Sequence, residues 1–350
     1  MTATIRDVAR ASGVHFSTVS RAFSAPHRVS PETRLRVLAA AHTLGYRPNR
    51  AARALITGRT HNIGLIVSDI ANPFFPPLIK AAEAQARTRD YHIFVADSNE
   101  DPAVEEELVH ALAKQVDGIV LCSPRMGNER IEALGSDVRL VTVNRRVPGL
   151  AAVVMDVGTG ARAAVAHLVA LGHRHLAYLT GPRGSWTSRE IRRAATAGAR
   201  AAGASLIAVG PNPPTESAGS AAAERVRRSG ATAVLAYNDL MAIGLMAGLD
   251  ALGIRVPAAV SVVGIDDIAI SRLTRPTLTT VATPTAAAGR VAVDMLLAPG
   301  GDPPTSAQVT LRTHLVIRDS TAPPPTAGIS PPPAGDLLSR GSTPQREGVR

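Results

Sequence analysis

Cysteine, lysine and aromatic residues are scarce in this chain of 350 residues. Cys122 is the single cysteine, which excludes an intramolecular disulfide and a cysteine-rich metal site. No run of about 18 apolar residues is present, and residues 1–11 lack the basic start and apolar stretch of a secretory signal. Apolar residues nevertheless make up 45% of the chain, which excludes general disorder. We therefore expect a folded, cytoplasmic protein that does not enter a membrane.

Acidic residues are nearly absent from the first 60 positions. That segment holds ten arginines but only Asp7 and Glu32, so it carries about +8 of the net charge of +10. Arginine is abundant throughout, with Lys80 and Lys114 the only lysines, and its abundance alone is partly a compositional bias. The shortage of acids is local, however. A basic end on a nearly neutral body predicts a polyanion-binding module joined to a larger domain.

Three short helices are predicted within the basic segment. Thr4 suits the N-cap of the first helix, with an acid three residues later to reach back to it. Gly13 ends that helix in a tight turn, and the apolar spacing of VHFSTVSRAF predicts a second helix. The sequence SPE at 30–32 provides a cap, a first-turn proline and a first-turn acid for a third. These features predict a helix-turn-helix headpiece over residues 1–47.

The second predicted helix carries side chains suited to duplex DNA. The hydroxyls of Thr18 and Ser20 can bond to phosphate oxygens, and Arg21 would project into the major groove, where arginine bonds bidentately to guanine. An ordinary surface helix would have a similar composition; the basic segment and the third helix favour DNA binding. The candidate DNA contacts of the headpiece are Thr4, Phe16, Ser17, Thr18, Ser20, Arg21 and Arg28.

From residue 61 onward, short apolar runs alternate with alanine-rich helical segments. Apolar strands separated by helices predict parallel sheets buried on both faces, in right-handed βαβ units. The length of the region suggests two doubly wound lobes, with a ligand between them at the carboxyl ends of the strands. Residues after 320 are rich in proline, glycine and serine, which predicts disorder. The seven predicted strands are NIGLIVSDI, YHIFVADS, VDGIVLCS, RLVTVN, HLAYLTG, TAVLAYND and VSVVGIDD.

Several segments together resemble the lactose/galactose-repressor (LacI/GalR) family of bacterial transcription regulators. The likeness covers about residues 4–320 and is carried by TIRDVARASGVHFSTVSRAF, PNRAARAL, NIGLIVSDIANPFF, VALGHRHLAYLTGP, YNDLMAIGLMAGLDALGIRVPAAVSVVGIDD and RPTLTTV. It implies a homodimer on a pseudo-palindromic operator and a core that senses a small molecule. The implied α/β fold comprises the headpiece (1–47), a hinge helix and linker (48–60), a periplasmic-binding-protein-like two-lobed core (61–320) and the tail (321–350).

The segment PNRAARAL, at 48–55, matches the family's hinge pattern N-x-x-A-R-x-L. A helix this short should not hold together alone in water. Its small residues would let two hinge helices of a dimer approach each other and the DNA backbone, while Leu55 wedges into a base step and kinks the duplex. A basic linker that forms helix only weakly is the alternative. The matching residues are Asn49, Ala52, Arg53 and Leu55.

The resemblance places the effector in the cleft between the lobes. Phe74 and Phe75 follow the first core strand and are suited to packing on a sugar ring or a base. Asp239 matches a family position whose carboxylate accepts bonds from ligand hydroxyls, and Arg145 could donate to ligand oxygens. Each could instead be structural, because strand-end aspartates often cap helices and paired phenylalanines usually fill cores. The candidate effector contacts are Asp69, Asn72, Phe74, Phe75, Ser123, Arg145, Trp186, Arg189 and Asp239.

Two features depart from the family pattern. The family usually shows R-x-x-G early in the helix that follows GPRGSW, but Ile191 and Ala194 stand at these positions. An arginine elsewhere in 189–193 could substitute for the missing guanidinium. His15 stands where the family usually has a serine that caps the recognition helix.

The sequence predicts a homodimeric repressor of carbohydrate-utilisation genes, which a sugar either releases from its operator or stabilises on it. A purine or nucleoside effector, an activator and an effector-independent regulator stay open. A sugar-binding transport protein would need a secretory signal and no basic headpiece. GPRGSW has neither G-x-G-x-x-G nor a Walker lysine, and the histidines lack metal-ligand spacing. No catalytic residue, metal or cofactor is expected.

Overall fold

The computed structural model contains a three-helix headpiece and a two-lobed α/β core, and the predicted fold class is confirmed. The predicted hinge contacts Asn49, Ala52, Arg53 and Leu55 lie outside the described residues, as does the tail after residue 325. The structure describes residues 3–24, 26–47, 58–298 and 307–325.

The headpiece closes around one small apolar core. Val8, Val19 and Val37 are fully buried, one from each helix, so the three helices hold one another in place. The predicted capping box is present, since the Thr4 N–H donates to Asp7 Oδ2 at 3.0 Å and the Asp7 N–H donates to Thr4 Oγ1 at 3.4 Å. The helices are α1 (Ile5–Ser12), α2 (Phe16–Ser24) and α3 (Pro31–Thr43), with a short 3₁₀ helix at Pro26–Arg28.

The core alternates strands and helices along the chain, as its apolar runs predict. All seven predicted strands are present, and five further strands join them within the described residues. No described helix is long and apolar enough to cross a membrane. The core elements are β1 (Asn62–Val67), α4 (Phe75–Arg87), β2 (His92–Asp97), α5 (Pro102–Ala113), β3 (Ile119–Cys122), α6 (Asn128–Asp137), β4 (Leu140–Val143), β5 (Ala151–Met155), α7 (Val157–Ala170), β6 (His175–Leu179), α8 (Trp186–Ala201), β7 (Ser205–Val209), α9 (Glu216–Ala221), α10 (Ala223–Arg228), β8 (Ala233–Ala236), α11 (Asp239–Ala251), β9 (Ser261–Asp266), β10 (Thr279–Ala282), α12 (Thr285–Leu296), β11 (Gln308–Leu311) and β12 (His314–Val316).

Each lobe is built on a six-stranded sheet. The first sheet has the order β11-β5-β4-β3-β1-β2 and is entirely parallel. The second has the order β12-β10-β9-β8-β6-β7, and only β12 runs antiparallel to its neighbour. The chain passes between the lobes after β5, after β10 and after β11. These crossings bring the carboxyl ends of both sheets to a shared cleft, as in other open parallel sheets.

Two helices of the second lobe cross with their backbones in contact. A Cβ atom at Gly244 of α11 would lie 1.8 Å from the carbonyl oxygen of Glu216, and one at Gly219 of α9 would lie 2.2 Å from that of Met241. No side chain fits at either position. These glycines therefore let α9 and α11 pack closely against each other.

The core extends past the predicted start of the tail at residue 321. The carbonyl oxygen of Ala322 accepts a hydrogen bond from the Ser261 hydroxyl at 3.0 Å and lies 2.9 Å from His173 Nε2. Thr321 Oγ1 lies 3.0 Å from His167 Nε2. The predicted boundary is therefore too early, because its polar, proline-rich composition does not reveal backbone groups that bond to a distant strand.

Candidate DNA-binding helix and effector cleft

Helix α2 turns a polar face away from the headpiece core. Val19 and Ala22 are buried, whereas Arg21 is exposed and the Phe16 side chain is 49% exposed. The Arg21 guanidinium donates through Nη2 to Ser17 Oγ at 3.1 Å and through Nε to the Ser17 carbonyl at 3.2 Å. It therefore lies along its own helix and must leave Ser17 to reach a base edge.

His15 caps the amino end of α2. Its carbonyl oxygen accepts hydrogen bonds from the N–H groups of Thr18, at 2.8 Å, and Val19, at 3.2 Å. Its Nδ1 accepts from the Ser17 N–H at 3.4 Å and lies 2.9 Å from Ser17 Oγ. Histidine thus takes the place that the family pattern gives to serine, and it satisfies an N–H that the helix leaves unpaired.

The other predicted DNA contacts are spread over the headpiece surface. Thr4 and Arg28 are exposed, and Thr18 and Ser20 are half-buried along α2. The Thr4 hydroxyl already donates to Asp7 at 2.7 Å. Thr4 therefore contributes first to the start of α1, and its contact with a phosphate stays a prediction.

The cleft between the lobes is narrow and mostly polar. Its free volume is about 30 Å³, which leaves room for a few water molecules. A sugar therefore enters only if the lobes separate or side chains move. Among the predicted residues, Asn72, Phe74, Phe75 and Ser123 line it. The polar lining residues that sequence reasoning missed are Ser68, Glu100, Arg125, Asn144, Thr187, Tyr237, Asn238, Asp266 and Thr283.

The strand ends at the cleft adopt unusual backbone geometry. Of the eight described non-glycine residues with positive φ, six follow or end the strands β2, β3, β4 and β9. Four of these six line the cleft, namely Glu100, Ser123, Asn144 and Asp266. Such backbone conformations cost free energy and persist where the surrounding structure enforces them, commonly at functional sites.

Arg125 is the guanidinium that lines the cleft. Its Nε donates to Glu100 Oε2 at 2.6 Å and its Nη2 to Glu100 Oε1 at 2.8 Å, while Nη1 donates to the Ser123 carbonyl at 2.7 Å. It also meets Tyr237, which comes from the second lobe. Arg125 and Glu100 therefore form a preorganised pair on the first lobe that closes against the second.

Two polar side chains in the cleft, the buried Ser68 and the half-buried Asp266, make no hydrogen bond to another described side chain or backbone group. Ser68 Oγ has no hydrogen bond within the described residues. None of the hydrogen bonds between described residues ends on the carboxylate of Asp266. Burial, and then repulsion from Asp239, raise the pKa of Asp266 well above its usual range. Because buried polar groups are rarely left unpaired, Ser68 is a candidate for hydrogen bonding to a ligand. Asp266 is half-buried in the same cleft and is a second candidate.

Asp239 does not line the cleft, which corrects the sequence-based expectation. It is fully buried in the second lobe, and its carboxylate accepts hydrogen bonds from Ser271 Oγ at 2.6 Å, from the Ile268 N–H at 3.0 Å and from the Thr280 hydroxyl. Burial raises its pKa to about 6, although these donors act in the opposite direction. Asp239 ties down the segment after β9, so its role is structural.

Arg145 and Arg189 also lie outside the cleft lining. Arg145 donates to Asn128 Oδ1 through Nε at 3.0 Å and Nη2 at 2.8 Å, within the first lobe. Arg189 is exposed on α8, where it donates to the Gly184 carbonyl at 3.5 Å and lies near enough to Arg145 to help lower the pKa of that residue, after burial. Ile191 is fully buried in the apolar core, so no guanidinium enters the cleft from this helix at that position. Arg125, from the opposite lobe, supplies the cation instead.

Two further predicted contacts are placed elsewhere. Asp69 Oδ1 accepts a hydrogen bond from the Ala71 N–H at 2.9 Å, so its side chain closes a turn beside the cleft. Trp186 lies at the boundary between the lobes, where the Arg146 guanidinium sits 6.0 Å from its ring centroid. Within the described ranges, no cluster of three His, Cys, Asp or Glu residues could hold a metal ion.

Phe74 and Phe75 line the cleft and pack on each other. Their rings meet edge to face with centroids 5.0 Å apart, and both belong to the core of the first lobe. Phe74 is 7% and Phe75 3% exposed. Both rings therefore stabilise the lobe, and their packing on a sugar ring or a base stays a prediction.

A helix-turn-helix headpiece followed by two parallel α/β lobes around a polar cleft defines a DNA-binding regulator with a ligand-sensing core. Residues 4–49 match the model of bacterial regulatory proteins of the lacI family, and residues 165–321 match the periplasmic binding protein-like domain. The chain is 35% identical over 308 residues to the HTH-type transcriptional regulator GalS of Salmonella typhimurium, which covers 84% of this chain and 89% of that protein. The chain therefore belongs to the lacI family of bacterial regulatory proteins.

Solved structures agree with this assignment. A lac repressor dimer bound to operator and the anti-inducer ONPF superposes with a TM-score of 0.82 at 28% identity, covering 92% of this chain and 100% of that one. The complex of the transcriptional regulator CelR with cellobiose has a TM-score of 0.67 at 30% identity, covering 91% and 99%. The resemblance predicted from the sequence is thereby confirmed.

Proposed function

We propose that this protein is a homodimeric repressor of carbohydrate-utilisation genes, which acts in the cytoplasm and changes its operator affinity when a sugar occupies the cleft. The observation that supports the proposal is the cleft between the lobes, where the buried Ser68 Oγ of the first lobe has no hydrogen-bond partner among the described residues. The Asp266 carboxyl group of the second lobe lines the same cleft. A ligand that bonds to both stabilises the closed arrangement of the lobes. The operator-bound lac repressor dimer and the cellobiose complex of CelR support the same assignment.

The free hydrogen-bonding groups favour a polyhydroxylated ligand. The Asp266 carboxylate can accept bonds from hydroxyls, while Ser68 can donate or accept. Asn72 Oδ1 accepts from the Phe74 N–H at 3.0 Å, which leaves its amide N–H groups for a ligand oxygen. Because Phe74 and Phe75 pack on each other, the cleft offers little surface for stacking a base. These features favour a sugar over a purine or nucleoside.

The effector acts by its different affinity for two arrangements of the lobes. A ligand that contacts both lobes favours their closed arrangement. Binding shifts the equilibrium between the two arrangements only by the difference in ligand affinity between them. We infer that the linker passes this shift to the headpiece. The hinge contacts expected from the sequence, namely Arg53 near phosphates, close approach at the small residue Ala52, and Leu55 in a base step, lie outside the described residues and stay a prediction, as does the match at Asn49.

Exposed apolar side chains support self-association of the core. Strand β2 is the edge strand of the first sheet, and Phe94 and Val95 on it are 45% and 38% exposed. In the second lobe, Ile270 and Leu273 are 44% and 75% exposed. Exposed edges and apolar patches of this kind commonly mark interfaces. Both lobes therefore offer surface to a second copy of the chain.

The test is an operator titration with DNA selected from a random library by the full-length protein. A panel of neutral monosaccharides, disaccharides and nucleosides is added, and binding to the cleft is followed by the fluorescence of Trp186, the single tryptophan. One sugar should change the operator affinity by about tenfold or more, a typical allosteric coupling. A response to nucleosides alone would indicate the purine alternative, and no response would indicate an effector-independent regulator.

Two further outcomes separate the remaining alternatives. Transcription in vitro from a promoter that contains the selected site should fall when the protein is added; a rise would show an activator. A protein that selects no DNA sequence would contradict a function in transcription regulation altogether.

A further inference from the structure

Asp117 holds the start of the core, where the chain arrives from the linker. It lies in the turn before β3, at the end of the sheet opposite the cleft. The Thr60 N–H donates to Asp117 Oδ1 at 2.6 Å, the Thr60 hydroxyl donates to the same atom at 2.8 Å, and the His61 N–H donates to Oδ2 at 3.1 Å. One carboxylate thus binds three donors from two consecutive residues.

The surrounding contacts fix this arrangement. Tyr91 also hydrogen-bonds to Asp117, and its ring lies 5.0 Å from the ring of His61. The Asp117 N–H donates to the Asn62 carbonyl at 2.9 Å, and the His92 N–H donates to the His61 carbonyl at 3.0 Å. Residues 60–62 are therefore connected to the starts of both neighbouring strands of β1.

The carboxylate is held in its charged form. Burial acts to raise the pKa of Asp117, but the donors from Thr60, Tyr91 and His61 outweigh it, and the pKa lies below its usual value. Hydrogen bonds to a charged acceptor are stronger than those between neutral groups. At neutral pH, the ionised Asp117 carboxylate therefore accepts all of these hydrogen bonds, and we call this set of contacts the anchor.

We propose that Asp117 is a positioning residue for DNA binding, which anchors the linker so that movement of the first lobe reaches residues 48–57 and the headpiece. This inference rests on the proposed function. A fixed attachment limits the conformations that residues 58–61 sample before DNA binding. Without Asp117, residues 58–61 would lose conformational entropy only when the protein binds DNA, and this cost would weaken DNA binding. Asp117 acts from the base of the lobe, without contact with the effector cleft.

Three variants of the full chain test the anchor. Asp117→Asn keeps the shape of the side chain but removes its charge and one acceptor, and Thr60→Val removes only the hydroxyl donor. Asp137→Asn is the matched control, because it removes the same charge from an exposed position at the end of α6. The readouts are affinity for the selected operator, affinity for random DNA, and amide exchange of residues 58–62.

Asp117→Asn should weaken operator binding by roughly tenfold or more and raise amide exchange at Thr60 and His61, with a smaller loss for Thr60→Val. Affinity for random DNA should stay close to that of the control. Loss of a negative charge alone would strengthen DNA binding, so the expected sign separates the anchor from a charge effect. If Asp117→Asn does not fold, Thr60→Val carries the test.

Equal operator affinities in Asp117→Asn and Asp137→Asn would overturn the anchor and leave the proposed function standing. A parallel loss of operator and random-DNA binding would also overturn it, since general destabilisation would then suffice. A wild-type chain that selects no DNA sequence contradicts the proposed function and the anchor together.

Discussion

The carboxylate of Asp239 accepts a hydrogen bond from the Ser271 hydroxyl at 2.6 Å, and both residues are fully buried in the second lobe. Thr280 and the Ile268 N–H complete the set of donors. These contacts join the start of α11 to the segment that follows Asp266. The position of the cleft carboxylate therefore depends on an aspartate that does not touch the cleft.

Asp239 should make the stability of the protein depend on pH. Its pKa rises from 3.8 to about 6 on folding, so the folded state favours the protonated form. The resulting stabilisation is fully present below about pH 4 and is lost as the pH rises through 6. The loss is on the order of 2 to 3 kcal/mol. Asp239→Asn should remove this part of the pH dependence in urea unfolding measured from pH 4 to 7. Parallel curves for the variant and the wild type would contradict the assignment.

Asp266→Asn should separate effector binding from DNA binding. The variant lacks the unpaired carboxylate, so we expect effector affinity to fall by about tenfold or more, as measured by Trp186 fluorescence. Operator affinity without effector should stay unchanged. The unfolding free energy should rise, because an amide avoids the cost of burying a charge at this position and also the repulsion from Asp239. Unchanged effector affinity would remove Asp266 from the site.

His15→Ala should destabilise the start of α2. The Ser17 N–H loses its acceptor, and loss of a helix cap costs about 1 kcal/mol. Amide exchange at Ser17 and Thr18 in the full chain should increase, and operator binding should weaken. His15→Ser is the control, since serine can cap the same helix. If both variants behave like wild type, the imidazole does not act as a cap.

Arg21→Ala should relax base preference at one position in each half-site. Loss of a bidentate contact with guanine corresponds to about 1 to 3 kcal/mol of discrimination. Ser17→Ala is a useful companion, because it removes one of the two acceptors that hold Arg21 along its helix. The Ser17→Ala variant should keep the wild-type base preference at the half-site position that Arg21 reads. A selected-sequence profile of Arg21→Ala identical to that of wild type would exclude the readout role.

Local sequence signals predicted the headpiece well. The capping box of Thr4 and the N-cap of Ser30 depend on residues only three positions apart, so the sequence contains both partners. The seven apolar strands were equally evident. Five strands were missed, namely β5, β7, β10, β11 and β12. The last two are only three or four residues long, and each pairs with a strand that is distant along the chain.

The cleft was predicted at the correct ends of the strands, but several of its residues were not. Asp239 and Asp266 both lie at a strand end, within the runs TAVLAYND and VSVVGIDD. Only Asp239 has three donors around its carboxylate, and two of them come from residues 32 and 41 positions away. Likewise, the Arg145 guanidinium hydrogen-bonds to Asn128, whereas Arg125 lines the cleft.

Sequence by itself determined the headpiece, its basic charge, the alternation of strands and helices and the family of the chain. These properties follow from caps, periodicity and composition, which act between near neighbours. Tertiary structure alone decided which strand-end side chains line the cleft and that Asp117 bonds to Thr60 at the start of the core. A polar group becomes available to a ligand only when no distant residue satisfies it, and that depends on contacts that form as the lobes fold.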